Sequence, residues 1–279
     1  MKITRVGIAA KPGSPGASKV ALDAGKFLES KGIDVCYTGE ALPGQAGSRA
    51  VALEDMAADL VVVVGGDGTI MRTAQRVNAI PILGIKVGAL GFLCETTPDN
   101  ARDALERVIA NKFYLDYKTK LKANYRGMQL PDALNEVLVT TTKPSKILAL
   151  AVYKDGEPIH RGRADGIIVS TTTGSTAYAL SAGGPVVDPE LDAMEVIFIC
   201  PLTPGLRPMM FPTSTKIEVK VLSGPSTGLL VMDGQTTTQV DFDVPIAIER
   251  SEKAAAFVRV NTSDFYKRIR QKIKLGFET

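Results

Sequence analysis

The sequence predicts an α/β protein in which an N-terminal domain, built on a parallel sheet, is followed by a β-rich C-terminal domain. Strand-like and helix-like segments alternate over residues 1–111, which is typical of a parallel sheet covered by helices. From Phe113 onwards, short apolar runs separated by turn residues dominate, and these indicate β-structure layered as in a sandwich or a solenoid. A chain of 279 residues is long enough for two domains.

The elements of the first domain follow from apolar periodicity and from turn residues. Apolar residues at helical spacing before Gly32 predict the first helix, and Thr97-Pro98-Asp99 has the cap, the proline and the acidic residue that begin another. The predicted order is a strand over 3–10, a helix ending near 31, a strand over 33–37, a short helix around 50–57, a strand through the valines at 61–64, a helix from 69, a strand over 80–85 and a helix after 97.

The boundaries of the two domains follow from the same change of pattern. We expect the first domain to cover residues 1–118 and the second to cover 119–254, with one short helix over about 175–182. The last segment, 255–279, ends with basic and apolar residues that alternate at helical spacing. A surface helix that returns to the first domain explains this pattern better than a membrane helix.

The composition excludes several classes of protein. The chain is 45% hydrophobic and 23% charged, as a soluble globular protein is, and no apolar run approaches the ~18 residues of a membrane span. Its net charge of +3 is small and its basic residues are dispersed, so nucleic acid is not indicated as a partner. There is no signal-peptide pattern, and the 3 cysteines fit neither a disulfide framework nor a metal spacing. We therefore expect a cytoplasmic protein with no membrane partner and no metal-ligating cluster.

The stretch Leu60–Arg72 gives the first indication of function. Four consecutive valines describe a strand buried on both faces, and the sequence GGDGT at 65–69 then opens into a helix. Glycine N–H groups and a helix N-terminus suit an anion such as a phosphate. Asp67 would repel that anion, so its presence indicates a proton acceptor or a metal ligand beside a phosphoryl donor. The alternative is a tight Gly-Asp-Gly turn with Asp67 as a helix N-cap.

Two polar clusters in the second domain also indicate a ligand site. Asn135-Glu136 interrupts the apolar run ALNEVLV, where unpaired buried polar groups are costly, unless a bulge or a strand end lets both reach solvent. The second cluster runs from a turn at Asp165-Gly166 through a hydroxyl-rich segment, Thr171–Thr176, to Tyr178. Hydroxyls at a helix start suit a polar ligand, and a tyrosine offers a flat face to a base. A capped helix with a packed tyrosine would explain part of this segment, but poorly the whole.

Taken in order, these motifs resemble NAD kinases. GGDGT alone is also shared with diacylglycerol and sphingosine kinases and with 6-phosphofructokinases. The pair formed by Asn135-Glu136 and the TTGSTAY segment favours the NAD kinase branch, and the resemblance is dispersed over about residues 60–240. One departure is Thr172, which stands where the family commonly has proline, and this changes the turn rather than the ligands.

The resemblance implies a role for each residue that matches the family's motifs. Asp67 would accept the proton of the 2′-hydroxyl on the adenosine ribose of NAD, with Gly68 beside it. The residues that would face the phosphates are Gly65, Gly66, Thr69 and Arg72. Asn135 and Glu136 would bind the adenosine part of NAD, with Glu136 near the ribose. The other dinucleotide-binding residues would be Lys146, Arg163, Asp165, Thr173, Thr176, Ala177, Tyr178, Ser181 and Gln235.

The resemblance also implies an enzyme that makes NADP from NAD. The phosphoryl donor would be ATP, another nucleoside triphosphate or polyphosphate, used with Mg²⁺ or another divalent cation. The first domain would bind the donor and the second would bind NAD, with the active site in the crevice between them. A homodimer or homotetramer is implied, whose sites borrow residues from a neighbouring subunit.

Two alternatives stay open on the sequence alone. A lipid or sugar kinase of the same superfamily would share GGDGT, although the chain lacks an apolar substrate entrance and carries dinucleotide-type motifs. A catalytically silent NAD(P)-binding regulator would keep the pocket but would not need Asp67. The motifs do not choose the phosphoryl donor, nor between NAD and NADH. His160, the 1 histidine of the chain, fits a surface or packing position and is assigned no role.

Overall fold

The computed structural model describes residues 2–39, 41, 50–77, 79–88, 91–143, 146–224, 227–261 and 265–273. The chain divides into two compact units. Unit 1 combines Met1–Tyr117 with Ala255–Thr279, and unit 2 is Lys118–Ala254.

The described residues form nineteen strands and five α-helices. The strands are β1 Arg5–Ala10, β2 Asp34–Thr38, β3 Ala50–Val51, β4 Leu60–Gly65, β5 Ile82–Lys86, β6 Tyr114–Lys118, β7 Leu121–Tyr125, β8 Met128–Gln129, β9 Glu136–Thr141, β10 Leu148–Lys154, β11 Glu157–Ala164, β12 Gly166–Thr171, β13 Ala193–Ile199, β14 Met209–Pro212, β15 Ile217–Ser223, β16 Gly228–Met232, β17 Thr236–Val240, β18 Ile246–Arg250 and β19 Ala255–Arg259. The helices are α1 Pro15–Ser30, α2 Asp67–Arg76, α3 Ala101–Ile109, α4 Tyr178–Ser181 and α5 Phe265–Ile273.

Unit 1 is built on a seven-stranded sheet with the order β3-β2-β1-β4-β5-β19-β6. Strands β3, β2, β1, β4, β5 and β19 pair in parallel, each with the next. The valines of β4 are fully buried at the centre of the sheet, as a strand covered on both faces requires. The chain therefore moves outward in one direction from β1 and in the other from β4, which places a switch in strand order between these two strands.

The segment before β4 differs from the sequence prediction. A short helix was expected around 50–57, but Ala50 and Val51 form β3, which pairs in parallel with Tyr37 and Thr38 of β2. The residues that follow make only a turn, in which Met56 N–H donates to the Leu53 carbonyl. The prediction was wrong because pairing with a neighbouring strand satisfies more backbone groups than one isolated helical turn does.

Unit 2 is a sandwich of two six-stranded antiparallel sheets. One sheet has the order β11-β10-β15-β18-β7-β8, and the other has the order β14-β13-β12-β9-β16-β17. Apolar side chains from both sheets form one core, for example Leu150, Val169 and Val219. On its other face the second sheet packs Ile168 and Ile197 against α4. With a parallel N-terminal sheet and a β-rich second part, the predicted fold class is confirmed.

None of the helices in the described part of the chain has both the length and the apolar character needed to cross a membrane. The segment after unit 2 contributes to unit 1. Its strand β19 joins the parallel sheet beside β5, with Phe257 opposite Ile82, and α5 follows.

Candidate functional site

The switch in strand order positions the GGDGT motif. The carboxyl ends of β1 and β4 lie side by side, because Ala10 is paired with Val64 and the Lys11 N–H donates to the Val64 carbonyl at 2.8 Å. The chain then turns in opposite directions, through α1 after β1 and through α2 after β4. In open parallel sheets, ligands bind in the crevice formed at such a point.

The glycines of the motif leave room for a ligand. Gly66 is the N-cap of α2 in an extended conformation, and a Cβ placed on Gly66 or on Gly68 would meet no heavy atom within 4 Å. At Gly65, by contrast, a Cβ would run into the Thr69 side chain, so this position accepts only glycine. There is therefore open space beside Gly66 and Gly68 at the N-terminus of α2, where an anionic group would be favoured. Arg72, also on α2, is half-buried.

Asp67 is held by a loop from elsewhere in the unit. Its Oδ2 accepts the Phe92 N–H at 2.7 Å, and its Oδ1 accepts the Leu93 N–H at 3.2 Å. A Cβ on Gly91 would overlap this carboxylate, so glycine is required there. The alternative in which Asp67 is a helix N-cap is wrong, because Gly66 has that position and Asp67 lies in the first turn. The carboxylate is half-buried, and its orientation is fixed by two backbone donors.

Cys94 packs against the first residue of the GGDGT motif. It is buried, and its Sγ donates to the Gly65 carbonyl at 3.7 Å. Burial, and after it the charge of Asp67, raises the pKa of the Cys94 thiol to about 12. The thiol is therefore protonated at neutral pH and acts as a packing group rather than as a nucleophile.

In unit 2, Asn135 and Glu136 lie where β9 begins, and both are buried. Their backbone is held by Asp233, whose carboxylate is 4% exposed. This carboxylate accepts the N–H groups of Leu134 at 2.8 Å, of Asn135 at 2.7 Å and of Glu136 at 3.1 Å. The sequence analysis missed this role of Asp233. The turn Asp233-Gly234-Gln235, in which the first two residues have positive φ, was the available signal.

The hydroxyl-rich segment meets the same strand start from the other side. Thr171 donates from Oγ1 to the Leu134 carbonyl at 2.7 Å, and Ser170 donates from Oγ to the Asn135 carbonyl at 3.2 Å. Gly174 packs so closely that a Cβ there would overlap the Asn135 carbonyl. Three motifs far apart in sequence thus converge on one place in unit 2: Asn135-Glu136, the 170–178 segment and the turn at 233–235.

The remaining predicted residues of this cluster present polar atoms at its edge. A 3-10 turn at Gly174–Thr176 leads into α4, on which Tyr178 is 44% exposed. Ser181 and Gln235 are exposed. Thr173 and Ala177 are half-buried, and Thr176 is buried. The cluster therefore combines a rigid buried floor with exposed hydroxyl, amide and aromatic groups, as a binding site for a polar ligand requires.

Two buried glutamates share this face of the sheet. Glu136 and Glu195 both lie opposite Ser170, one on each side of it, on β9 and β13. Burial raises the pKa of Glu195 to about 7, and burial with the nearby charge of Asp233 raises the pKa of Glu136 to about 7. Neither oxygen of Glu195, and not Oε2 of Glu136, has a hydrogen-bond partner among the described residues. The sequence analysis missed Glu195, although a carboxylate inside the apolar run AMEVIFI is the same kind of signal as Glu136 in ALNEVLV.

Three predicted residues lie away from this cluster. Arg163 and Asp165 precede β12, whereas Thr171 ends it, and six residues of strand span about 20 Å. Lys146 lies just before β10, whose first residues pair with the end of β11 near Arg163. The structure therefore does not bring Lys146, Arg163 and Asp165 to Asn135 and Glu136 within one chain. His160, also on β11, packs edge-on against Phe198 with ring centroids 4.7 Å apart.

Two family models match the chain and together cover most of it. The model described as the ATP-NAD kinase N-terminal domain matches residues 6–113, and the one described as the ATP-NAD kinase C-terminal domain matches residues 134–260. Their order along the chain is that of the parallel and the β-rich parts of the fold.

Relatives and solved structures agree with these matches. The NAD kinase of Thermococcus kodakarensis is 40% identical over 98% of this chain and 100% of its own length. That of Methanothermobacter thermautotrophicus is 37% identical over 98% and 97%. A crystal structure of an NAD kinase from Archaeoglobus fulgidus in complex with ATP aligns over 97% of each chain, with a TM-score of 0.78 and 33% identity. Yeast NADH kinase complexed with NADH shares the fold, with a TM-score of 0.90 at 24% identity over 100% of this chain and 90% of its own.

We expect Asp233→Asn to lower the free energy of unfolding of unit 2 by about 2 kcal/mol, because three buried N–H groups lose a charged acceptor. Urea unfolding followed by circular dichroism measures this. Asp243→Asn is the matched control, since Asp243 is exposed and also has positive φ, a conformation that asparagine tolerates. A loss of less than about 0.5 kcal/mol in both variants would contradict the role given to Asp233.

We expect the stability of unit 2 to fall as pH rises from about 4.5 to about 7. In this range the folded protein keeps protons on Glu136 and Glu195, whose pKa values are raised from 4.5 to about 7, while the unfolded chain loses them. Glu195→Gln should therefore be more stable than wild type at pH 8 by about 2 kcal/mol, and equal to it at pH 5. Urea unfolding at the two pH values tests this, with the exposed Glu190→Gln as control. If the difference in free energy of unfolding between Glu195→Gln and wild type is the same at pH 5 and at pH 8, the prediction is contradicted.

Proposed function

The chain belongs to the NAD kinase family, so it is an enzyme that phosphorylates NAD to NADP with ATP, and we propose that Asp67 is its catalytic base. The observation that carries this proposal is the fixed carboxylate at the switch point of the sheet, with its oxygens oriented by the Phe92 and Leu93 N–H groups. In the proposed reaction, Asp67 accepts the proton of the 2′-hydroxyl of the adenosine ribose as that oxygen attacks the terminal phosphorus of the donor.

A weak base is sufficient for this step. A carboxylate with an ordinary pKa near ~4 removes a proton from a free alcohol poorly. Phosphoryl transfer passes through a loose transition state, however, so the attacking hydroxyl can lose its proton late. Most of the rate then comes from the positions of donor and acceptor, and a carboxylate held by two backbone donors contributes to those positions.

We assign the phosphates of the donor to the residues around the glycine turn. Gly66 and Gly68 leave open space above the first turn of α2, where N–H groups and the helix dipole favour negative charge. Gly65 lets Thr69 fold back against the end of β4. Arg72, one turn further on α2, would add a positive charge. The related structure from Archaeoglobus fulgidus is a complex with ATP, and use of other nucleoside triphosphates or polyphosphate as donor is part of the proposal.

We assign the adenosine part of NAD to the cluster in unit 2. Asn135 and Glu136 lie at the start of β9, and the Asp233 carboxylate holds their backbone N–H groups. An amide can bind the edge of an adenine, and a carboxylate can accept from a ribose hydroxyl. The residues that would line the rest of the dinucleotide site are Thr173, Thr176, Ala177, Tyr178, Ser181 and Gln235. All of them except the buried Thr176 are exposed or half-buried around a rigid floor, which supports this assignment.

We propose that a divalent cation, Mg²⁺, binds mainly through the phosphates of the donor. Among the described residues, no group of three or more histidine, cysteine, aspartate or glutamate side chains could hold a metal ion. Mg²⁺ commonly binds through one or two carboxylates together with substrate phosphates. Each Asp67 oxygen accepts one N–H, which leaves lone pairs available beside the phosphates. When bound, the ion would neutralise charge on the donor.

We propose that Lys146, Arg163 and Asp165 bind NAD in the site of a second copy of the chain. The length of β12 separates Arg163 and Asp165 from the cluster at its other end, so one chain does not gather them. A homodimer or homotetramer that places this end of one copy beside the cluster of another would complete the site.

We propose a cytoplasmic location and no nucleic-acid or membrane partner. The 3 cysteines are free thiols, and Cys36 and Cys94 are buried, as is usual in a reducing compartment. The net charge of +3 gives no strong attraction to a polyanionic surface.

We expect Asp67→Asn to lower turnover by several orders of magnitude with NAD binding mostly kept, because the amide oxygen can still accept one of the two backbone N–H groups but the side chain cannot take the proton. The assay measures NADP formation from NAD with Mg²⁺ and either ATP or polyphosphate, coupled to an NADP-specific dehydrogenase. Activity without added metal, after treatment with EDTA, tests the cation. A variant with near-normal turnover would overturn the assignment of Asp67, and wild-type protein that binds NAD but forms no product would indicate a silent binder.

We expect two inactive variants to restore activity when combined in one assembly. An Arg163→Ala chain keeps Asp67, and an Asp67→Asn chain can supply its Arg163, so a mixed dimer has one complete site. Co-expression with different tags, followed by purification through both, should yield much of one site's activity, or about a quarter of wild type in an unselected 1:1 mixture of dimers. Mixed assemblies as inactive as the parent variants would contradict the sharing of sites.

A further inference from the structure

Two arginines, the buried Arg259 and the half-buried Arg268, hold the loop that orients Asp67. Arg268, on α5, donates from Nη1 to the Phe92 carbonyl at 2.6 Å and to the Cys94 carbonyl at 2.9 Å. Arg259, at the end of β19, donates from Nη1 to the Leu93 carbonyl at 3.0 Å. Three consecutive carbonyls of the loop therefore each accept a hydrogen bond from a guanidinium group.

The opposite edge of the same backbone contacts Asp67. The N–H groups of Phe92 and Leu93 donate to its two carboxylate oxygens. The loop therefore lies between the carboxylate on one side and the guanidinium groups on the other, and a displacement of its backbone moves the donors that fix Asp67. The hydrogen bonds on both sides of the loop have one charged partner, and such hydrogen bonds are shorter and stronger than those between neutral groups.

The arginines are themselves paired with carboxylates: both contact the buried Glu95 side chain, and Arg259 also contacts Asp116. Arg259 is 3% exposed and contacts Glu95 at 3.3 Å and Asp116 at 3.1 Å. Glu95 is 2% exposed and accepts the N–H groups of Val260 at 3.0 Å and Asn261 at 2.9 Å. Removing charges from water costs several kcal/mol per ion, so this network gives little net stability, and its clear effect is on geometry.

Helix α5 is attached to the loop by an aromatic contact as well. The rings of Phe92 and Phe265 have centroids 6.1 Å apart and are tilted by 46°. Arg268 follows Phe265 by one turn of the helix, so the ring contact and the guanidinium contacts reach the same short loop. Arg270 is exposed on the same helix.

We propose that Arg268 is a positioning residue for the catalytic carboxylate, and that α5 thereby sets the geometry of phosphoryl transfer although its residues follow Asp67 by about two hundred positions in the sequence. This rests on the proposed role of Asp67 as base. Arg268 acts through the Phe92 and Leu93 N–H groups and touches neither substrate in this proposal. Its loss should therefore reduce kcat with little effect on the KM for NAD.

Arg268→Ala tests the proposal, with Arg270→Ala as the matched control on the same helix. We expect kcat to fall by about tenfold to a hundredfold, with the KM for NAD within about threefold of wild type. Hydrogen exchange of the Phe92 and Leu93 amides should be at least about tenfold faster in Arg268→Ala and unchanged in Arg270→Ala. Arg268→Lys, which keeps the charge and a donor, should recover part of kcat, and added guanidinium ion should do so for Arg268→Ala.

A double variant separates this proposal from the role of Asp67. If Arg268 acts through Asp67, its removal should change the residual rate of Asp67→Asn by less than about twofold. An equal loss in both backgrounds, or unchanged amide exchange in Arg268→Ala, would overturn the positioning role. Near-normal turnover of Asp67→Asn alone would overturn the base assignment instead, whatever the exchange rates show.

Discussion

Backbone N–H groups in loops and at strand starts need acceptors, and an aspartate carboxylate supplies them in each of the two units. Asp67 accepts from Phe92 and Leu93 in unit 1, and Asp233 accepts from Leu134, Asn135 and Glu136 in unit 2. A buried N–H without an acceptor costs about 1–3 kcal/mol, so the loss of either carboxylate would destabilise the fold. In unit 1 they orient Asp67 itself, and in unit 2 they fix the backbone of Asn135 and Glu136, so the residues assigned to substrate depend on the hydrogen bonds that stabilise the fold.

Buried charge is used differently in the two units. In unit 1, Arg259 is paired with Glu95 and Asp116, and Arg268 also contacts Glu95. The other oxygen of Glu95 accepts two backbone N–H groups. In unit 2, Glu195 has no partner among the described residues and its pKa is raised to about 7 by burial. A paired network can keep a geometry over a wide pH range, whereas an isolated carboxyl makes stability depend on pH near neutrality. The site is therefore rigid where phosphoryl transfer is assigned.

The sequence predicted what depends on neighbouring residues. The valine strand, the glycine turn and the β-rich second part all follow from local patterns. The short helix at 50–57 was wrongly predicted because β2 pairs with the backbone of Ala50 and Val51. The contacts that fix the site are long-range. Asp233 meets Asn135 across 98 positions, and Arg268 meets Phe92 across 176. The periodicity of a sequence does not show which distant residues will meet. The motif Asp233-Gly234-Gln235 did mark one member of the pair formed by Asp233 and Asn135.

The return of β19 and α5 to unit 1 has a consequence for biosynthesis. Unit 2 is inserted between two parts of unit 1, so a ribosome makes all of Lys118–Ala254 before the strand that completes the parallel sheet. Domains generally fold as units while they emerge, which lets the β-sandwich form first. The nascent chain carries GGDGT early but acquires the arginines that hold the loop at Phe92 and Leu93 only after unit 2 has been made. The orientation of Asp67 would therefore be completed only after the β-sandwich has emerged.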